Sequence, residues 1–243
     1  MIALVGLLWA ETLQEAFPPP PGAQRVPVQA DDFGAWLRQL PLYPPDREVH
    51  SYRGDLLDMP AARVVEMDVG TRDLQQCADS ILRLRATWER LQGRMPAYHY
   101  TSGYLSSWES WAGGARPRVS GSTVTTQKGA AAADHSDASF VRWLTDLYMY
   151  AGTRSLPLDS VADQQVDPGD FLVTPGSPGH AVLVLDVAEG GGGRWVLVGQ
   201  GYMPAMDFHV VQGETQGWFL VQGEVLNTAP IPMPWSGLRR WPS

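Results

Sequence analysis

The second half of the chain constrains the fold most, because it contains successive apolar β-type segments separated by glycine and proline turns. The segments VDPGDFLV, GHAVLVLDV, RWVLVGQGY and WFLVQGEVL lie within residues 166–226. Short runs of this kind, bounded by turn residues, are typical of hairpin-connected strands. The linker AEGGGGR predicts a hairpin between the second and third segments. We therefore expect an antiparallel sheet in this region.

The first half of the chain carries helical patterns. Apolar residues at helical spacing, ended by Pro41, predict a helix over about residues 32–40. A longer helical stripe begins after a cap at Ser136 or Asp137, and alternation over residues 62–70 predicts a strand. Helices early in the chain and a sheet later indicate an α+β fold, with N-terminal helices packed on a mostly antiparallel sheet.

The N-terminus is apolar. The run MIALVGLLWA is too short to cross a bilayer, which takes about 20 residues. It resembles the central part of an export signal, so residues 1–16 are a possible signal segment, although the usual positive charge before the run is missing. The alternative is a helix or strand packed on the body. We expect one globular domain over residues 17–243, extracytoplasmic (periplasm or cell envelope) if the signal operates and cytoplasmic otherwise.

The charge balance excludes some partners. The chain has 18 Lys and Arg against 26 Asp and Glu, a net charge of -8, and no basic cluster, which argues against nucleic acid. No phosphate-binding glycine motif and no spacing typical of metal ligands occurs, so we predict no cofactor and no metal. No stable membrane span is predicted either. The sequence does not indicate the oligomeric state.

Cys77 is the only cysteine. If Asp73 caps a helix that starts at Leu74, the thiol lies in its first turn, where unpaired N–H groups and the helix dipole favour a thiolate. A nucleophilic cysteine is usually found in such a setting. The alternative is a core cysteine, since Cys77 shares a helical face with Ile81 and Trp88 and a free cysteine packs as a small apolar side chain.

His180 opens the long apolar strand GHAVLVLDV, and it is the candidate base for the thiol. If Val187 faces Trp195 in the hairpin, Gln200 lies diagonally beside His180 on the same face. A register slip of one residue would turn Gln200 to the opposite face. We therefore predict Gln200 as the residue that orients the imidazole.

The order of these residues resembles that in papain-like hydrolases of the NlpC type and in related amidases of cell-wall enzymes. This resemblance implies a papain-like arrangement with Cys77 as nucleophile, His180 as base and Gln200 as orienting residue. The oxyanion donors would be the Cys77 N–H and the amide of Gln75 or Gln76. The motifs DLQQCAD, GTRSL, GSPGHAVLVLD and GYMPA resemble, over nearly the whole chain, a bacterial family of unknown function that often carries export signals.

Aromatic and polar residues are candidates for holding the substrate. Trp108 and Trp111, in YLSSWESW, are either a stripe packed on the core or a platform for sugar rings or an extended peptide. Gln76, Tyr202 and His209 are further candidate substrate contacts, and His209 is also an alternative orienting residue.

Three functions remain open at this level. The first is a cysteine hydrolase or acyltransferase that acts on an amide or ester bond, possibly in cell-envelope peptide material. The second is a non-catalytic envelope module that binds glycan or peptide. The third is a structural protein whose cysteine is core. The expected partner is therefore peptide- or glycan-like envelope material.

Overall fold

A large antiparallel sheet dominates the computed structural model, which describes residues 11–242. The helices are α1 Leu13–Ala16, α2 Phe33–Leu37, α3 Cys77–Leu91, α4 Trp108–Ala112 and α5 Asp137–Tyr150, with short 3-10 helices at Leu156–Asp159 and Trp235–Gly237. The first strands are β1 Ala23–Arg25, β2 Ala61–Val64, β3 Ala97–His99, β4 Leu105–Ser107, β5 Arg116–Ser120, β6 Thr123–Gln127 and β7 Val161–Ala162. The later strands are β8 Phe171–Thr174, β9 His180–Gly190, β10 Gly193–Gln200, β11 His209–Val211, β12 Trp218–Leu220, β13 Val225–Leu226, β14 Met233–Pro234 and β15 Leu238–Arg240.

The large sheet has the strand order β2-β11-β10-β9-β8-β15-β7. Strand β1 also pairs with β9, and β12 also pairs with β10. Each of these pairings is antiparallel. The expectation of mixed helix and sheet with a large antiparallel sheet is therefore confirmed.

Strand β9 lies at the centre because both of its faces are apolar. Ala181, Leu183 and Leu185 pack into the main core, which also contains residues of α2, α3 and α5. Val182 and Val184 point the other way, into a second apolar cluster. A strand covered on both faces reads as a continuous hydrophobic run, as HAVLVLDVA does.

Helix α5 follows its sequence pattern, and α2 is shorter than its pattern. Helix α5 begins after Ser136, whose side chain accepts a hydrogen bond from the Ser139 N–H. Helix α2 ends at Leu37, and the chain then tightens so that Leu40 still reaches the core. The predicted end at residue 40 was therefore too late.

Most of the proposed signal segment, residues 1–10, lies outside the described residues. The rest of it belongs to the folded body. Thr12 bridges to Pro41, and Leu13, the first residue of α1, is fully buried in the main core. Residues 11–16, which the sequence analysis counted with the possible signal segment, thus include residues that pack on the described body.

Candidate active site

Helix α3 begins at Cys77, three residues later than the sequence suggests. Two tight turns precede it, in which the Leu74 N–H bonds to the Arg72 carbonyl and the Gln76 N–H bonds to the Leu74 carbonyl. The predicted cap, Asp73, is engaged elsewhere. Its carboxylate accepts hydrogen bonds from the Ala205 N–H at 2.7 Å and from the Gln76 side-chain amide at 3.1 Å.

Cys77 is therefore the first residue of its helix rather than the fourth. The carboxylate that caps this helix end belongs to Asp79, which accepts a hydrogen bond from the Gln76 N–H at 3.1 Å. The other carboxylate oxygen, Oδ1, is buried and has no partner among the described residues. Burial raises the pKa of Asp79 to about 8, against the smaller lowering effect of the backbone hydrogen bond.

The Cys77 sulfur lies at the junction of α3 and β9. The backbone N–H groups of Ala181, Ala78 and Cys77 itself point to it, and each favours the thiolate. Desolvation outweighs them, because the residue is only 6% exposed, and the pKa of the thiol rises to about 11. The prediction that this helix end lowers the pKa of Cys77 was wrong. Because the pKa is raised, the sulfur is a thiol at pH 7.

His180 is held at the start of β9, opposite Thr174 of β8. Its Nε2 is 2.8 Å from Gln200 Oε1, and the ring is almost completely buried. The other nitrogen, Nδ1, is buried and makes no hydrogen bond within residues 11–242. Burial lowers the pKa of His180, against the smaller raising effect of the Gln200 bond, so the ring is neutral at pH 7.

Gln200 determines which nitrogen of His180 carries the proton. Its amide Nε2 donates to the Ala229 carbonyl at 2.8 Å, which leaves Oε1 facing His180. An amide oxygen only accepts, so His180 Nε2 must be the donor. In the neutral ring Nδ1 then carries the lone pair. The predicted contact between Gln200 and His180 is present, and the orienting role of Gln200 stays a prediction.

His209 supports Gln200 from behind. Its Nδ1 donates to the Asp207 carbonyl at 3.1 Å, and its Nε2 lies 3.3 Å from Gln200 Nε2 and accepts from it. Burial lowers the pKa of His209 to about 4, which keeps this acceptor unprotonated. His209 is fully buried. It is a positioning residue for Gln200 and not a substrate contact.

A bulge aligns the His180–Gln200 pair. Near the hairpin turn, Ala188 pairs with Trp195 and Val187 with Val196, one residue away from the predicted register. Between Leu197 and Val198 the register shifts, and Leu185 of β9 has no partner in the ladder. Beyond this bulge the predicted register is restored. Gln200 therefore lies on the same face as His180.

Cys77 lines a cavity of about 630 Å³. All four sequence motifs, DLQQCAD, GTRSL, GSPGHAVLVLD and GYMPA, contribute residues to its walls, and Arg72, Thr101 and the end of α5 complete them. The wall residues are Arg72, Asp73, Leu74, Gln76, Cys77, Ala78, Asp79, Thr101, Tyr148, Met149, Ala151, Gly152, Thr153, Arg154, Gly176, Ser177, Pro178, Gly179 and Met203. The motifs, distant in sequence, therefore meet around the thiol.

The turn before His180 forms one wall and requires glycine. A Cβ on Gly179 would lie 2.6 Å from the Gly176 nitrogen and would also collide with Thr153 Oγ1. Thr153 Oγ1 accepts a hydrogen bond from the Gly176 N–H at 3.3 Å, which ties this turn to the segment after α5. The chain just before His180 is thus fixed by close backbone packing.

The remaining predicted substrate contacts have different positions. Gln76 lines the cavity. Tyr202 does not appear among its walls, but its ring meets the His180 ring edge-on, 5.2 Å between centroids. Trp108 and Trp111 are buried in the main core. They do not line this cavity, so the platform interpretation was wrong and the packing alternative holds.

Several wall residues were missed by the sequence analysis. Asp79, Thr153 and Arg154 lie inside the quoted motifs, and this was the only signal available for them. Arg72 and Tyr148 reach the cavity only through the packing of α3 against α5 and β9. No group of His, Cys, Asp or Glu side chains suited to a metal ion occurs within the described part of the chain. Over the same residues, no helix has both the length and the apolar character needed to cross a membrane.

Comparison with known proteins places the chain in a family. No curated protein and no solved structure matches it. Its sequence matches the family described as Domain of unknown function (4846) over residues 13–240. This agrees with the resemblance to a family of unknown function. Because the match covers nearly the whole sequence, the chain belongs to the family Domain of unknown function (4846).

Proposed function

We propose that this protein is a cysteine hydrolase or acyltransferase that cleaves an amide or ester bond through Cys77. The observation that carries the proposal is the unsatisfied Nδ1 of His180, on a neutral ring whose Nε2 is bound to Gln200. Buried polar groups are nearly always paired, so an unpaired nitrogen on a buried imidazole needs an explanation. The backbone N–H of Ala181, the residue after His180, bonds to the Cys77 sulfur. This contact supports a common site for the thiol and the proposed base.

The resting pair is neutral, so His180 acts as a general base during the attack. As sulfur bonds to the carbonyl carbon, the thiol proton moves to His180 Nδ1. Collapse of the tetrahedral intermediate breaks the amide or ester bond, and the leaving amine or alcohol takes that proton. Water then cleaves the thioester in a hydrolase, and another amine or alcohol does so in a transferase.

The start of α3 supplies donors for the oxyanion. The first N–H groups of a helix have no acceptor within the helix, and Cys77 is the first residue of α3. Gln76 gives one side-chain N–H to Asp73 and keeps a second for the cavity. Two donors directed at one oxygen are the arrangement that stabilises a tetrahedral intermediate.

The papain-like arrangement is part of the proposal. A cysteine at a helix start, a histidine at a strand start and a polar side chain on the next strand follow the order in NlpC-type hydrolases. Envelope peptide material and an extracytoplasmic location remain proposals from that resemblance. Fractionation of cells that produce the full chain would test the location.

The pH dependence of Cys77 alkylation by iodoacetamide tests the mechanism. General-base assistance predicts a rate that rises through the lowered pKa of His180 and then stays flat to about pH 10. The His180→Ala variant should lose this plateau and react only as its thiolate forms, about tenfold faster per pH unit towards pH 11. At pH 7 we expect a loss of at least about 100-fold.

His99→Ala is the matched control. His99 is a second strand imidazole, bound to Asp159 and not part of the cavity wall. This substitution should leave the alkylation profile of Cys77 unchanged. Equal profiles for the wild type and a folded His180→Ala variant would reject the proposed base.

A binding module without turnover is the second candidate, because the pKa of the thiol, about 11, is also that of an inert buried cysteine. In that case the alkylation rate of Cys77 would follow its thiolate fraction in both the wild type and the His180→Ala variant. The same experiment therefore separates the two functions.

A further inference from the structure

About half of the arginines of this chain form ion pairs with carboxylates of the described residues. The chain is acidic, with a net charge of -8. The arginines that form ion pairs are Arg25, Arg38, Arg47, Arg63, Arg85, Arg90, Arg142, Arg194 and Arg240. An arginine without such a partner keeps a positive charge that a ligand can pair with, and its position decides which ligand could reach it.

Two arginines without such a partner lie in the wall of the Cys77 cavity. Arg72 and Arg154 are exposed, and neither has a carboxylate within ion-pair distance among residues 11–242. Among the described residues, the one hydrogen bond that the Arg72 side chain makes is to the Met149 sulfur, at 3.7 Å. The two come from separate segments, one before α3 and one after α5. They are brought together only by the folded cavity.

The carboxylates in the same walls cancel only part of this charge. Asp73 offsets at most one of the two positive charges, since its hydrogen-bond donors, the Ala205 N–H and the Gln76 amide, are neutral. Asp79 is buried, and its pKa of about 8 leaves it mostly protonated at pH 7. The wall around the thiol is therefore cationic on a protein that is anionic as a whole.

We propose that this cavity takes a substrate that carries a carboxylate close to the bond that Cys77 attacks, and that Arg72 and Arg154 bind this carboxylate. Guanidinium groups bind carboxylates through paired hydrogen bonds, which fixes orientation as well as charge. An acidic peptide or a peptide with a free carboxyl end is the matching class of acyl substrate. The inference rests on the proposed function insofar as it treats the cavity as the substrate site.

Iodoacetate and iodoacetamide form a matched pair of probes. They carry the same reactive carbon, and only iodoacetate bears a carboxylate. We expect the rate ratio of iodoacetate to iodoacetamide at Cys77 to be higher in the folded protein than in the chain unfolded in urea. This ratio should fall about fivefold in the double variant Arg72→Gln, Arg154→Gln, and it should fall with added salt in the wild type.

Arg118→Gln is the control, because Arg118 is exposed on β5 and lies outside the cavity. It should leave the ratio unchanged. A double variant that melts like the wild type and keeps the wild-type ratio would overturn the proposal. So would a folded-state ratio equal to that of the unfolded chain.

A failure of this proposal can be told apart from a failure of the proposed function. Loss of His180 should slow both reagents equally and leave their ratio unchanged. If the ratio depends on the arginines while the iodoacetamide rate ignores His180, the carboxylate site stands and the catalytic role falls. The opposite pattern retains the catalytic role and removes the carboxylate site.

Discussion

Two buried polar residues on the same strand, Asp186 and His180, differ in how their hydrogen-bonding atoms are used. Asp186 is fully buried and accepts from Arg25 Nε at 2.6 Å, Arg38 Nε at 2.8 Å and the Val187 N–H at 2.9 Å. His180 is as deeply buried, but only one of its two ring nitrogens has a partner within the described chain.

The difference separates a structural site from a chemical one. The saturated carboxylate joins the N-terminal segment to the sheet, because both arginines come from the first forty residues. The unsaturated imidazole keeps a lone pair and lies next in sequence to Ala181, whose backbone N–H bonds to the Cys77 sulfur. Substitutions at the first site should change stability without changing thiol reactivity, and substitutions at the second should do the reverse.

The largest effect is expected for Asp186→Asn. It leaves two arginines without their buried counter-charge, so the free energy of unfolding should fall by about 3–5 kcal/mol in urea denaturation. The alkylation rate of Cys77 in the folded protein should not change. Asp134→Asn, which breaks the exposed pair with Arg142, is the control and should cost less than about 1 kcal/mol. Equal losses for the two variants would contradict the comparison.

His209 should make stability depend on pH on the acid side. The unfolded chain binds a proton at a pKa of about 6.5, whereas the folded chain holds His209 neutral down to about 4. Protons therefore bind the unfolded state more strongly as pH falls from 6.5 to 4, and His209 removes up to about 3 kcal/mol over that window. The free energy of unfolding of His209→Asn should fall less steeply than that of the wild type as the pH drops below 6.5. His135→Asn, at an exposed position, is the control and should keep the wild-type slope. An unaltered slope in His209→Asn would argue against a neutral His209.

A smaller effect is expected for Gln200→Leu. The variant removes the acceptor that fixes the His180 proton on Nε2, so Nδ1 is available as the base for only part of the time. We expect alkylation of Cys77 at pH 7 to slow by about tenfold, less than for loss of the ring itself. Gln212→Leu, at an exposed position outside the cavity wall, is the control. A tenfold loss there as well would point to a general effect on folding.

The sequence predicted those features that depend only on residues close together in the chain. Ser136 caps α5 through a bond to a residue three positions away, and the sequence shows both partners. The start of α3 was missed because the Asp73 carboxylate is taken by the Ala205 N–H, 132 residues away. No window around Asp73 contains that competitor.

The hairpin shows the same limit. The predicted register brought Gln200 to His180, yet it was one residue wrong near the turn, and only the bulge at Leu185 restored it. An apolar strand covered on both faces gives no alternation from which a bulge could be read. Trp108 was ambiguous for a related reason, since a buried stripe and an exposed platform have the same spacing.

The central claim is that burial keeps His180 neutral and that Gln200 holds its one proton on Nε2, which leaves Nδ1 free to take the thiol proton. Nitrogen-15 NMR of the histidine rings in the folded protein at pH 7, with His180 assigned through the His180→Ala variant, tests it most directly. The account predicts a protonated, pyrrole-type Nε2 and an unprotonated, pyridine-type Nδ1 for this ring. A proton on Nδ1, or a doubly protonated ring at that pH, would contradict it.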